Sequence, residues 1–326
     1  MKKLKLDNLT ALGEYGIRDD FPAFTVAGYE FHSQGVPPTQ RGITVHTTRM
    51  AARGNRVHRQ NAYVLFGTQE DSVLYRGGMT GTAMHPTHKR KFLEDILVLG
   101  SLLTAHNWAF YFRRYTPGYP LVPTNHLRTI TTDFKDLQPA LSSLITVLKD
   151  PVWQTQFNNG FHLKMLLNSA NNYNSESRFL SRVIIWEFLY AKLFGKESEN
   201  LQEIMKAILE HFWGTQVNGS IFMTHRDRGS GCSKNIFYVL RNQLAHSGKL
   251  PIDRPYAEQW MKQVPWEAPF LSTVRDLKRY LLFFDELTQV IVMKTMDFHP
   301  ETRNLFNAFN FSENLSRFLS TGRIQP

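Results

Sequence analysis

The chain has 326 residues, 42% of them hydrophobic, and a formal net charge of +10. That length exceeds one usual core and predicts two domains, each large enough to bury apolar surface without covalent staples. The single cysteine, Cys232, excludes an intramolecular disulfide and argues against a thiolate metal cluster, which fits a reducing cytoplasm; the surplus of positive charge favours polyanionic partners.

Met1-Lys2-Lys3-Leu4-Lys5 is basic, but Asp7, Asn8 and Glu14 follow where a secretory signal needs an apolar core, so no signal is expected. Short runs with strand character come next: Phe24 to Phe31, Gly42 to Thr47, Ala62 to Phe66 and Ser72 to Tyr75, separated by Gly, Pro, Asn and Asp. Such runs need partners, so a sheet is expected. Lys89 to His106 changes period, with Phe92, Leu93, Ile96, Leu97, Leu99, Leu102 and Leu103 at helical spacing, and Trp108 to Phe112 returns to a strand-like aromatic run. The charge-free stretch Ile96 to Phe112, interrupted by His106 and Asn107, reads as a buried helix followed by a strand and not as a membrane span. Thr116 to Pro120 reads as a turn, and residues 137–149 as an amphipathic helix. Asp150-Pro151 is then the natural boundary. The fold class expected is α+β, with a strand-rich recognition or sensing domain over 1–150 and an all-helical domain over 151–326.

In the second half, Asn174-Ser175-Glu176-Ser177 offers caps for a helix carrying Phe179, Leu180, Val183, Ile184, Trp186, Phe188 and Leu189, and Gly195 stops it. Leu201 to Trp213 makes a second helix, ended by Gly214. Ser233 is a cap for a third, running through Ile236, Phe237, Val239, Leu240 and Leu244 to Ala245, with Gly248 just beyond and Pro251 forbidding continuation. Leu271 to Met296 is a fourth. Between the last two, Pro251, Pro255, Pro265 and Pro269 exclude a continuous helix and predict an ordered connection. After Met296, Leu305, Phe306, Phe309 and Phe311 suggest a tail that packs on something.

The stretch Arg241-Asn242-Gln243-Leu244-Ala245-His246-Ser247-Gly248 ends the third of these helices. Histidine moves protons near neutral pH, arginine offers a fixed cationic fork for a phosphate, and asparagine orients either one. Spacing alone proves little: Arg41 with His46, and Arg53 with His58, repeat the gap of Arg241 with His246. Those two pairs lie in a strand and loop region without a helical apolar face. On a helix, residues five apart point about 140° from each other, whereas Asn242 and His246 share a face. The plainer reading is that His246 caps the helix and Arg241 pairs with a carboxylate.

Leu240 to Gly248 resembles the Arg, polar residue, gap and His motif of the HEPN superfamily. The similarity extends over residues 157–300, with an upstream helix carrying an acidic residue such as Glu187, the motif helix and a long closing helix. The chain order is similar to that of the ApeA-type proteins of bacterial defence against phage. This resemblance implies a metal-independent endoribonuclease of abortive infection, with no cofactor, its site composed across a homodimer. It implies His246 as general base or acid at the 2′-hydroxyl or leaving oxygen, Arg241 on the scissile phosphate, Asn242 as orienter and Glu187 as support for Arg241. RNA, and not DNA, is then the substrate, the products end in a 2′,3′-cyclic phosphate, and the first half receives a phage-derived trigger. The alternative is a HEPN protein that dimerises and holds RNA without cutting it.

Two basic stretches are further candidates for touching RNA. Arg226, Arg228 and Lys234, with His225, flank Gly229 to Ser233, a loop that lacks the Gly-Lys-Ser/Thr ending of a phosphate-binding loop. Arg49, Arg53, Arg56 and Arg59, with Arg41, lie in an acid-free run that could follow a phosphate backbone or guard a sheet edge from aggregation. His85 and His88 have a His-x-x-His spacing, but Pro86 between them opposes a helical ligand pair, and no metal is expected.

Overall fold

The computed structural model describes residues 134–148, 150–152, 161–170, 174–218, 233–263, 273–302 and 311–325, with residues 225–226 and short segments between 7 and 110. The chain divides into two compact units, residues 1–167 with 296–307 and residues 168–295 with 308–326.

In the first unit the buried side chains described before residue 150 are helical. Val98, Leu99, Leu102 and Leu103 are buried at the spacing of one helix face. Helix α1, Phe134–Leu148, buries Ala140, Leu141, Leu144, Ile145 and Leu148 and leaves Ser142 and Thr146 exposed, the pattern of a helix with one apolar stripe. Asp150 accepts a hydrogen bond from the Val152 amide at 2.8 Å and closes the turn that follows. Helix α2 is Phe161–Ala170.

The expected α+β chain with a strand-rich domain over 1–150 is therefore corrected. The interpretable part of the chain is mostly helical, 79%. Backbone pairing does occur among six short extended segments between Asp7 and Phe110, but their side chains lie outside the described residues, so no strand-rich domain is assigned from them. The physical reason for the error is that apolar runs of four to eight residues fit a strand or a buried helix equally well by pattern, and only a packed partner decides between them.

The second unit is a helical bundle whose ends are written locally. Helix α3, Ser175–Phe194, starts where the Asn174 side chain accepts from the Ser177 amide at 2.8 Å, and stops at Gly195 with φ +65°. Helix α4, Leu201–Trp213, is capped by Asn200 and ends at Gly214. Helix α5, Ile236–Ser247, is capped by Asn235, whose side chain accepts from the Phe237 amide at 2.9 Å; Ser233, the cap suggested by sequence, lies two residues too early. The Asn235 amide donates to Gln202 at 3.3 Å, which ties the start of α5 to the first turn of α4.

Helix α6, Arg254–Gln263, occupies the proline-rich connection. Pro255 is tolerated there because the first turn of a helix has no use for its missing amide. Helix α7, Val274–Lys294, begins at a reciprocal capping box between Thr273 and Asp276, three residues later than expected. Helix α8 is Phe311–Thr321.

Phe284 of α7 is the hub of this bundle. Its ring lies 4.5 Å from Phe237 of α5, 5.2 Å from Phe179 and 5.9 Å from Trp186 of α3. Phe318 of α8 adds contacts to Phe237 and Phe283, so the last helix closes the same core. One charged group is buried beside it. Asp285 pairs with Arg182 and with Arg178, each at 3.1 Å, and Arg182 also donates to Ser169. Burial drives the Arg182 guanidinium below its usual range while Asp285 opposes the shift. No helix among the described residues is long and apolar enough to cross a membrane.

Candidate active site

The site is built on the last two turns of α5. Ile236, Phe237 and Leu240 bury one face of the helix, and this fixes its rotation against the bundle. Leu244 is only half-buried and Ala245 is exposed, so the apolar face is shorter than the sequence suggests. Arg241 and Asn242 are half-buried and His246 is exposed. Gly248 then adopts φ +68° and its amide returns to the Leu244 carbonyl at 2.8 Å, which ends the helix two residues beyond His246.

Within one chain these groups are only partly assembled. Arg241 donates to Asn242 at 3.5 Å, a long and weak bond. Arg241 and His246 share no hydrogen bond among the described residues. Helix geometry explains this, since five positions separate the two by about 140° around the axis, while Asn242 and His246 stand about 40° apart.

Glu187, half-buried in α3, is brought within electrostatic reach of Arg241. Burial pushes its carboxyl above the ordinary range, the positive charge of Arg241 pulls it down, and Glu199 pushes it up again. The chain beyond the motif is tied to the same helix, because the Leu250 amide donates to Glu176 at 3.1 Å.

Gln243 is the residue that sequence reasoning passed over. Its amide oxygen accepts from the Trp260 indole at 3.2 Å, and its amide nitrogen donates to the Tyr256 hydroxyl and, at 2.8 Å, to Ser247. Trp260 and Tyr256 both belong to α6, so the turn that carries His246 is braced by the helix hidden in the proline-rich connection. A signal was present in Asp253-Arg254-Pro255, an acidic residue followed by proline at a helix start.

Lys234 lies just before α5 with its ammonium 5.2 Å from the ring centre of Tyr238. Arg228, Arg53 and Arg56 lie outside the described residues, as do His85, His88 and the loop Gly229 to Cys232, and so do the side chains of Arg226, Arg49 and Arg59. Leu305, Phe306 and Phe309 of the tail also lie outside them, whereas Phe311 is buried. Among the described residues no three His, Cys, Asp or Glu side chains approach closely enough to hold a metal ion.

Chemically, the arrangement presents an imidazole to solvent next to a restrained guanidinium and an amide. It could position and protonate an anionic substrate. No protein-family model matches the chain, and neither a curated protein nor a solved structure matches it.

Proposed function

We propose that the chain is a metal-independent endoribonuclease of the HEPN type, active as a homodimer in which two copies of α5 complete one site, and serving in defence against phage. One placement supports this reading above all. An exposed His246 and a half-buried Arg241 stand on consecutive turns of a helix that ends at Gly248, with Glu187 close enough to feel the Arg241 charge.

In this mechanism the 2′-oxygen of the ribose attacks the adjacent phosphorus, and the bond to the 5′-oxygen of the next nucleotide breaks. The products are a 2′,3′-cyclic phosphate and a 5′-hydroxyl. His246 takes the proton from the 2′-hydroxyl or delivers one to the leaving oxygen. Arg241 meets the charge that develops on the phosphate. Asn242, on the same face as His246, orients the imidazole, and Glu187 restrains Arg241. The separation of Arg241 and His246 around one helix is the reason to call on a second copy: an isologous pair sets the His246 of each chain against the Arg241 of the other. The defence role leans on chain order and not on the site, and it is tested separately by phage plating on cells expressing the chain.

The activity is tested with labelled RNA and DNA in EDTA, using the full chain beside His246→Ala and Arg241→Ala. The expected result is cutting of RNA alone, lost in both variants. Cutting that persists in His246→Ala overturns the assignment, and RNA binding without cutting by any form identifies a binding protein instead.

A further inference from the structure

We propose that Tyr238 and Lys234 form a nucleotide subsite of single-stranded RNA, with a base stacked on the Tyr238 ring and the adjoining phosphate held by Lys234. This inference rests on the ribonuclease reading above.

Position is the first argument. Tyr238, Asn242 and His246 follow one another at intervals of four, so they form a row along α5 that drifts about 40° per step. Along the helix axis Tyr238 stands about 6 Å from Asn242 and about 12 Å from His246, one or two nucleotides from the reacting phosphate. A base seated there sets which phosphate reaches His246.

The second argument is what Tyr238 does not do. The large buried aromatic rings of this unit join the cluster around Phe284, whereas Tyr238 is half-buried and makes neither a ring contact nor a hydrogen bond through its hydroxyl among the described residues. The comparison with Tyr256 is direct. Lys249 lies 5.7 Å over the Tyr256 ring, but that lysine pairs with Asp253 at 3.1 Å and the Tyr256 hydroxyl is engaged by Gln243, so this second pair belongs to the brace on α5. Tyr238 and Lys234 have no such structural task.

Charge selects the occupant. From Arg228 to Ile252 the chain holds no acidic residue, while Lys234, Arg241, His246 and Lys249 all fall within that span. A cation beside an aromatic face suits a strand whose phosphates and bases alternate, because every base has a face that stacks and each phosphate contact adds an ionic one.

The test measures anisotropy of a labelled single-stranded RNA with the full chain in a His246→Ala background, comparing Tyr238→Ala, Tyr238→Phe and Lys234→Ala. Tyr238→Ala is expected to weaken binding roughly 10-fold or more, while Tyr238→Phe keeps the ring and most of the affinity. Lys234→Ala is expected to lower the salt slope by about 1. In the cutting-competent chain, Tyr238→Ala should also move or blur the preferred cleavage positions, a change that simple loss of stability does not produce. Unaltered affinity and unaltered cleavage positions in Tyr238→Ala overturn the subsite while leaving the ribonuclease reading intact. Absence of both RNA binding and RNA cutting in the parent chain overturns both. Equal, Tyr238-dependent binding of single-stranded DNA overturns the commitment to RNA.

Discussion

Glu187 on α3 carries a carboxyl that burial pushes up and that Arg241 on α5 pulls down. The net direction is upward from the ordinary 4.5, so the fold disfavours the charged carboxylate. Its contribution to stability is thus fully present below pH 4.5 and is lost as pH rises through the higher folded value. Arg241→Ala removes the opposing charge and should move the Glu187 carboxyl further up. Carboxyl-carbon NMR of labelled glutamate, compared with Glu187→Gln to assign the signal, reads this directly. No movement in Arg241→Ala would mean that the two charges do not interact.

Gly248 ends the motif helix at φ +68°, and nothing lies within 4 Å of a Cβ placed there. The cost of a side chain is then one of backbone conformation and not of collision. Gly248→Ala should destabilise the chain by about 1–2 kcal/mol in urea unfolding, and Gly248→Asn by less, because asparagine tolerates the left-handed region. Equal stability of all three forms would show that the helix does not end in this geometry.

Gln243 links α5 to α6 through Trp260 and Tyr256. Gln243→Ala removes the acceptor of the Trp260 indole, a nearly buried residue, and should cost about 1–3 kcal/mol. Tryptophan emission should shift in the same variant. If cleavage depends on how α5 is held, turnover should fall more than affinity for RNA.

The sequence made the second unit far more legible than the first, and the reason is local. Asn174, Gly195, Gly214 and Gly248 act within one turn of their own position, so caps and stops can be read without knowing the fold. The rotation of α5 followed from Ile236, Phe237 and Leu240. The brace between α5 and α6 could not be read that way, because Gln243 meets Trp260 only once two helices have packed. The run of prolines also concealed α6, since Pro255 was counted as a breaker although the first helical turn accepts it. In the first half, short apolar runs were taken for strands, and the buried side chains that the structure describes there stand on helices.

Asp285 neutralises two arginines, Arg178 and Arg182, inside the bundle. Asp285→Ala leaves both cations without it in a region from which water is largely excluded. A loss of about 3–5 kcal/mol is expected at neutral pH, measured by urea unfolding. A change below 1 kcal/mol would show that water reaches the pair.

The proposed chemistry requires the ribose hydroxyl next to the cut, and one substrate isolates that requirement. An RNA cut by the chain is compared with the same RNA carrying a single 2′-deoxynucleotide immediately before the cleaved phosphate. Loss of cutting at that position alone, with a 2′,3′-cyclic phosphate on the unmodified product, is the predicted result. Continued cutting at the deoxynucleotide would contradict the roles given to His246 and Arg241.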